Sequence, residues 1–299
     1  MAIFRYSLGS MSARISAYFG LMKPTIVLLF LVTGFAAIVV EGSLLAEPLK
    51  LFFVMVAMGL TAGSANALNM YFDRDIDSQM ERTRRRRPIP LEKISPQRAA
   101  VFGLLTGSIA IGYYLVATNW LAAFWSFFTI AFYVGIYTLW LKRRTPYNIV
   151  IGGAAGATAP LIGWAAATGE TSLLAWVLFL VVFLWTPPHF WALAIAIQDE
   201  YRAAKVPMMP VTHGDRRTRI EIYAYTILLV PVTTLPYFLG SSGFIYLGAS
   251  LGLGAFYLWQ TVKLLRTKER QDSKKLFWVS IVYLFLLFGA LFLDSFLKS

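Results

Sequence analysis

The chain has 299 residues and no cysteine, and 58% of its residues are hydrophobic whereas only 14% are charged. This composition indicates a polytopic membrane protein with room for about nine spans of ~20 residues, and the missing cysteines exclude disulfides, thiolate metal sites and a cysteine nucleophile. The net charge is +12, but the basic residues lie between apolar runs, where membrane topology and anionic headgroups explain them, so nucleic acid is not expected as a partner.

Nine apolar runs follow one another, each long enough to form a membrane-spanning helix. They cover approximately residues 25–41, 49–72, 99–117, 119–140, 147–168, 171–197, 221–240, 243–262 and 276–296. When the loops alternate between the two sides of the membrane, all of the 27 Lys and Arg residues except Lys50 and Lys298 fall on one side. The positive-inside rule assigns that side to the cytoplasm. We therefore predict an all-α polytopic membrane protein with nine transmembrane helices in one integral-membrane domain (residues 1–299), with the N-terminus cytoplasmic and the C-terminus external.

The end of the second run carries a row of polar residues. On a helix, Asn69, Asp73 and Asp77 lie on one face, about 6 Å apart along the axis. Asn66 joins this face, whereas Asp75 points elsewhere. Such a row of oxygen ligands suits Mg²⁺, which prefers carboxylates together with substrate phosphates. The alternative is a solvated helix end whose acids are balanced by nearby arginines.

Two groups of basic residues accompany this row. The first contains Arg82, Arg84, Arg85, Arg86 and Arg87. Arginine suits bidentate phosphate recognition, but membrane anchoring alone would explain most of the group, so we expect one or two of these residues to touch substrate. The second group, Lys142, Arg143 and Arg144, has the same two interpretations. Together with the acids, these residues predict a magnesium–diphosphate site at the cytoplasmic membrane surface.

The sixth run contains His189 in the stretch WTPPHFW. An ionisable group inside a span is a functional candidate by default. Pro187 and Pro188 are expected to break the helix and to open its backbone toward a cavity. The alternative for His189 is a hydrogen-bonded imidazole in the protein interior.

Two adjacent acids, Asp199 and Glu200, follow the sixth run. On a helix they diverge by about 100°, so they cannot both face one metal ion, and at least one is expected to be structural or to pair with Arg202. This segment passes from acids through bases to prolines, as the 73–98 segment does. The similarity indicates an internal duplication four helices apart.

These motifs resemble the UbiA superfamily of intramembrane prenyltransferases, whose first aspartate motif, N-x-x-x-D-x-x-x-D, is matched by Asn69, Asp73 and Asp77. The similarity is closer to one branch, the protohaem IX farnesyltransferases, and is carried by NALNMYFDRDID, LKRRTPYNIVIGGAAGATAPLIGWAA, WTPPHFWALAI and DEYRAAKVPMMPVTHG, which cover most of residues 60–214. The chain departs from the superfamily in its second motif, often D-x-x-x-D, where it has only Asp199 and Glu200. Its basic run is also one arginine longer than is usual in the branch.

The resemblance implies nine helices around a central cavity and the Mg²⁺-dependent transfer of farnesyl from its diphosphate to the 2-vinyl group of haem B, with addition of water, giving haem O. Catalytic roles are then expected for Asn69, Asp73, Asp77 and Lys142. Metal ligation is expected from Asp73, Asp77 and Asp199. Substrate binding is expected from Asn66, Arg82, Arg86, Arg87, Arg143, His189, Asp199 and Arg202, with His189 as the candidate contact or ligand of the haem iron.

The same resemblance implies a multi-pass protein of the bacterial cytoplasmic membrane, whose partners are farnesyl diphosphate, haem B and the lipid bilayer. Other proteins of the haem A pathway or of oxidase assembly are further candidate partners. A prenyltransferase for a quinone precursor or another tetrapyrrole is the alternative within the enzyme class, although WTPPHFW and TPYNIVIGG argue against it. A transporter fits less well, because no Asp, Glu, Lys or Arg lies in the middle of a predicted span.

Overall fold

The computed structural model describes residues 11–267 and 269–298, and within these residues all regular structure is helical. The α-helices of this part of the chain are α1 (Met11–Leu21), α2 (Pro24–Glu41), α3 (Pro48–Phe72), α4 (Arg74–Gln79), α5 (Glu81–Arg84), α6 (Pro96–Ala117), α7 (Trp120–Ala131), α8 (Asn148–Ala157), α9 (Ala159–Thr168), α10 (Leu173–Ala196), α11 (Gln198–Ala203), α12 (Met209–Phe238), α13 (Phe244–Arg266) and α14 (Arg270–Lys298). A π-helix, Phe132–Trp140, continues α7. Short 3₁₀ turns occupy Ser43–Ala46 and Leu141–Arg143.

The predicted membrane spans agree well with these helices. In the described part of the chain, eight helical stretches are long and apolar enough to cross a membrane: 24–41, 48–72, 96–117, 120–143, 148–168, 173–196, 209–238 and 270–297. The remaining predicted run, 243–262, forms the 23-residue helix α13, which is outside those eight. The all-α polytopic architecture is thereby confirmed, whereas the count of nine crossings and the sides of the two termini stay predictions.

The predicted orientation can be measured with reporter fusions. Reporters placed after Lys142 and after Arg216 are expected in the cytoplasm, and a reporter at the C-terminus is expected outside, because nearly all Lys and Arg residues fall on the first side. Two reporters that are active on opposite sides of the membrane distinguish these locations. A cytoplasmic C-terminus would exclude nine spans.

Two apolar cores lie side by side in the bundle and share helix α2. The first joins α2 to α3, α6, α7 and α9, and the second joins α2 to α10, α12, α13 and α14. Helices α2 and α9 cross almost backbone to backbone, since a Cβ atom on Gly163 would lie 2.6 Å from the carbonyl oxygen of Gly34. Such small residues bring membrane helices close together where hydrophobicity alone gives no driving force.

Helix α10 runs through Pro187 and Pro188 without interruption, so the predicted break at these prolines is wrong. Proline has no N–H group and deprives an earlier carbonyl of its donor. Neighbouring helices tolerate this in membrane proteins, and α10 packs against α8, α9, α12 and α14. The unbroken helix holds His189 in a packed interior.

Two segments at one end of the bundle are built alike. Helix α3 ends at Phe72, Asp73 interrupts it, and the six-residue α4 follows. Helix α10 ends at Ala196, Ile197 interrupts it, and the six-residue α11 follows. The two segments share this order of elements, and the internal duplication stays a prediction.

Candidate active site

The polar row at the end of α3 continues across the break at Asp73. The Asp73 N–H donates to the Asn69 carbonyl at 2.9 Å, and the Asp77 N–H donates to the Asp73 carbonyl at 2.8 Å, so the helical hydrogen bonding persists. The Asn69 side-chain amide donates to Asp73 Oδ2 at 2.7 Å. Asp73 and Asp77 are only 0% and 1% exposed, which excludes the alternative of a solvated helix end.

Three basic side chains meet these residues from three different segments. Lys142 Nζ lies 2.5 Å from Asp73 Oδ2, and Arg87 pairs with Asp77. Lys23, between α1 and α2, donates to Asn69 Oδ1 at 2.8 Å. Removal from water, and next the charge of Arg87, lower the pKa of Lys23 well below its ordinary value. The site therefore combines two buried carboxylates with three basic side chains.

The carboxylates suit a magnesium ion that is held jointly with a substrate. Asp73 Oδ1 is buried and has no hydrogen-bond partner among the described residues, which leaves a strong acceptor for a cation. Within residues 11–267 and 269–298, no three His, Cys, Asp or Glu side chains are arranged to hold a metal ion. Two carboxylates are nevertheless sufficient, because Mg²⁺ typically binds one or two carboxylates together with substrate phosphates.

Two tyrosines of the π-helix lie beside the acids. The rings of Tyr133 and Tyr137 stack with centroids 5.2 Å apart, and the Tyr133 carbonyl accepts from the Thr138 hydroxyl, which in turn accepts from Asn69. A side chain on Gly152 would overlap the Tyr137 ring, so the glycine of α8 makes room for this tyrosine. Electron-rich ring faces at such a position can stabilise a cation.

The two similar segments pack together over this end of the bundle. Ile76 and Met80 form an apolar cluster with Tyr201, Val206 and other residues. The backbone N–H of Arg82 also donates to Glu200 Oε2 at 3.0 Å. The segments after α3 and α10 therefore form one cap above the acidic site.

Asp75 leaves the polar row as predicted. Both of its carboxylate oxygens accept from the Arg143 guanidinium at 2.7 Å, in an exposed ion pair. The hydrogen bond from Arg143 lowers the pKa of Asp75 to about 2. Arg143 also donates to the Phe72 carbonyl at 3.3 Å, so the structure places it in the surface pair rather than beside Asp73.

Asp199 does not join the other acids. Its side chain is 65% exposed and accepts from Arg202 at 2.9 Å and from Arg270 at 2.5 Å. The hydrogen bond from Arg270 lowers the pKa of Asp199. Glu200 accepts from the backbone N–H of Arg82, whereas Asp199 pairs with Arg202. The predicted divergence of the two acids and the predicted pairing with Arg202 are therefore confirmed. Metal ligation by Asp199 and substrate binding by Arg202 stay predictions that this arrangement does not support.

Of the predicted phosphate-binding arginines, only Arg87 reaches the acids. The side chains of Arg82 and Arg86 are exposed on the cap, and their contact with substrate stays a prediction. Asn66 is buried, but its amide donates to the Met22 carbonyl at 2.9 Å and thereby holds the start of α2.

His189 is a buried imidazole between two aromatic rings. Its centroid lies 4.2 Å from Trp185 and 4.6 Å from Phe277, and both rings stack on it. Its Nδ1 atom lies 2.7 Å from the Ser280 hydroxyl, which donates to the Phe277 carbonyl at 2.6 Å. If the Ser280 hydroxyl donates to Phe277, it accepts a proton from Nδ1, and the Nε2 lone pair is then free. This tautomer is the form that binds metal ions through Nε2.

Lys23 and Thr138, like Tyr133 and Tyr137, were absent from the sequence-based prediction of the site. Lys23 entered the sequence analysis only as one of the basic residues on the cytoplasmic side, and a lysine just before an apolar run is common at membrane boundaries. Thr138 lies inside an apolar run, and its hydroxyl accepts from the Asn69 amide at 3.0 Å. In the sequence, neither residue carries a signal that separates it from similar residues nearby.

The sequence model of the UbiA prenyltransferase family matches residues 28–290. A protohaem IX farnesyltransferase of Gloeobacter violaceus is 48% identical over 290 residues, which cover 97% of this chain and 95% of that protein. A protohaem IX farnesyltransferase of Parvibaculum lavamentivorans is 46% identical over 284 residues, with coverages of 94% and 89%.

Solved structures share the fold at low sequence identity. A UbiA homologue from Aeropyrum pernix superposes with a TM-score of 0.72 and 16% identity, over 91% of this chain and 98% of that one. A UbiA homologue from Archaeoglobus fulgidus, bound to dimethylallyl diphosphate (DMAPP) and Mg²⁺, gives a TM-score of 0.64 and 15% identity, with coverages of 92% and 99%.

Proposed function

Since this chain belongs to the UbiA prenyltransferase family and, within it, to the protohaem IX farnesyltransferases, we propose that it transfers farnesyl from farnesyl diphosphate to the 2-vinyl group of haem B. The reaction requires Mg²⁺, includes addition of water and gives haem O. The observation that carries this proposal is the buried pair Asp73 and Asp77 with Lys142, Arg87 and Lys23 around it. The reaction takes place in the bacterial cytoplasmic membrane.

The carboxylates and the basic side chains have different roles in binding farnesyl diphosphate. Asp73 and Asp77 would hold Mg²⁺ against the diphosphate, and the bound ion would stabilise the leaving group as the allylic C–O bond ionises. Lys142, Arg87 and Lys23 neutralise the phosphate charge that remains. These groups are aimed at charge that develops in the transition state, which is how electrostatic catalysis lowers a barrier.

The aromatic residues protect and stabilise the farnesyl cation. Tyr133 and Tyr137 stack on each other, and their electron-rich faces would stabilise a cation beside them. The vinyl carbon of haem B attacks the cation, and the new positive charge is delocalised into the porphyrin. Water then adds to this cation and releases one proton to the solvent, which leaves a hydroxyl group. No protein nucleophile is needed, which is consistent with a chain that has no cysteine.

One assay tests this proposal directly. The purified protein is incubated with haem B, farnesyl diphosphate and Mg²⁺, and the pigment is analysed by mass spectrometry. The expected product has the mass of haem B plus one farnesyl group and one hydroxyl group. An unchanged haem, together with prenylation of a quinone precursor under the same conditions, would instead support the alternative acceptor. A metal-chelated reaction is the control and should give no product.

His189 provides a prediction for the haem site. With Nδ1 bonded to Ser280, Nε2 would be the atom that ligates iron, so His189→Ala is expected to shift the visible spectrum of bound haem and to raise the haem requirement. The affinity for farnesyl diphosphate should change little, because His189 lies roughly 10 Å along α10 from the helix end.

The interior-imidazole alternative predicts a different result for the same variant. Loss of the stacked ring and of its hydrogen bond would then lower stability by about 1–3 kcal/mol without altering the spectrum. Haem titration and thermal unfolding of both proteins separate the two outcomes. Ser280→Ala is the matched control, since it keeps the ring but removes the group that fixes its tautomer.

A further inference from the structure

Thr138 bonds to its own helix in an unusual way. Elsewhere in the spanning helices, buried threonine hydroxyls donate to a carbonyl three or four residues earlier, as Thr129 does to Trp125 at 2.7 Å and Thr186 does to Val182 at 2.8 Å. Thr138 donates to the carbonyl of Tyr133, five residues earlier, at 2.8 Å. This shift by one residue follows from the π-helix, whose wider winding moves each acceptor one position back.

The winding directs the Thr138 hydroxyl at the polar site. Its proton goes to Tyr133, so its lone pairs are free to accept from the Asn69 amide at 3.0 Å. The other amide hydrogen of Asn69 is donated to Asp73 Oδ2 at 2.7 Å, and its Oδ1 accepts from Lys23 at 2.8 Å. Every polar group of this side chain is therefore engaged, and the orientation of the amide is fixed.

We propose that Thr138 is a positioning residue of the metal–diphosphate site. By holding Asn69 Nδ2, its hydroxyl keeps the amide donor directed at Asp73 Oδ2, so that the buried Oδ1 of Asp73 is the oxygen presented to a cation. Thr138 acts through Asn69 and does not touch the substrate itself. The inference rests on the proposed function, because it concerns the same carboxylate. Mutation of a side chain that orients a metal ligand typically changes metal affinity by about 10- to 100-fold.

The test compares threonine variants of the full-length protein purified in detergent. Thr138→Val keeps the shape of the side chain and removes its hydroxyl, and Thr138→Ala removes the hydroxyl without placing a second methyl group in a polar site. Thr138→Ser retains the hydroxyl. The matched control is Thr129→Val, in α7, which loses a buried hydroxyl bonded to Thr158 at 2.5 Å. Mn²⁺ binding in the presence of inorganic pyrophosphate is measured by electron paramagnetic resonance, and thermal unfolding is measured in parallel.

The Val and Ala variants at position 138 are expected to weaken Mn²⁺ binding by about 10- to 100-fold, and the Ser variant to stay within about threefold of wild type. The control is expected to lose thermal stability with unchanged Mn²⁺ affinity. Wild-type affinity in both the Val and Ala variants, or an equal loss in the Ser variant, would overturn the inference while leaving the proposed function intact. A wild-type protein that binds no Mn²⁺ with pyrophosphate would overturn the proposed metal site, and the inference with it.

Discussion

Asp73→Asn and Asp77→Asn are each expected to reduce farnesyl transfer by at least about 10²–10³-fold, whereas Asp75→Asn should reduce it less than about fivefold. Each of the first two changes removes a buried charge that is directed at the metal and the diphosphate, and loss of one such electrostatic group alone costs about 10²–10³-fold. Asp75 forms an exposed ion pair with Arg143, and such pairs contribute about 0–1 kcal/mol.

Asparagine is the informative substitution because both acids are buried. It preserves the volume of the side chain, whereas alanine would add a cavity beside Lys142 or Arg87. Both substitutions break a buried ion pair, which can by itself cost about 3–5 kcal/mol of stability. Initial rates, the Mn²⁺ requirement and thermal unfolding should be measured for all three variants. An equal loss of activity in the three would show that the acids do not act from one face of the helix.

Lys142→Met is expected to have two effects of opposite sign. The kcat/KM for farnesyl diphosphate should fall by about 10²–10³-fold, because a cation directed at the leaving group is lost. Binding of Mn²⁺ without any diphosphate should become tighter, because Asp73 Oδ2 no longer shares its charge with the Lys142 ammonium group. Titration of Mn²⁺ alone and steady-state kinetics measure the two effects separately.

Two further lysine variants make the test of Lys142 specific. Lys23→Met should also impair use of farnesyl diphosphate, but without tighter metal binding, because Lys23 bonds to Asn69 rather than to a carboxylate. Lys50→Met is the control, since Lys50 pairs with Glu47 in the connection before α3. If Mn²⁺ alone bound the Lys142 variant more weakly than wild type, the lysine would have to support the metal rather than compete with it.

The sequence could predict the fold because membrane helices leave a strong signal. A helix such as α3 must satisfy the hydrogen bonds of its backbone internally and cover the backbone with apolar side chains. The predicted run 49–72 therefore agrees within one residue with Pro48–Phe72. The prolines of α10 misled this reasoning. Proline by itself tends to break a helix, but packing against neighbouring helices overrides this tendency. Such packing cannot be predicted from the local sequence.

The site was predictable only where its residues are close in sequence. The spacing of Asn69, Asp73 and Asp77 placed them on one face, and the structure brings the first two into contact. Selecting Arg87 from five similar arginines depends on how the cap folds back. Asp199 does not join the other acids and instead bonds to Arg270, which lies 71 residues further along the chain. Such pairings depend on tertiary contacts that periodicity does not encode.

The ion pairs of the polar site also bear on how a catalytic cycle ends. Lys142 is paired with Asp73, and Arg87 with Asp77, within the protein itself. When pyrophosphate departs together with its metal ion, each carboxylate can regain an internal counterion, so two bare charges are not left in a buried position. We therefore expect product release to meet little electrostatic resistance, and pyrophosphate without a divalent cation to be a weak inhibitor. The arrangement seen here would then serve both as the resting state and as the state to which the enzyme returns after each turnover.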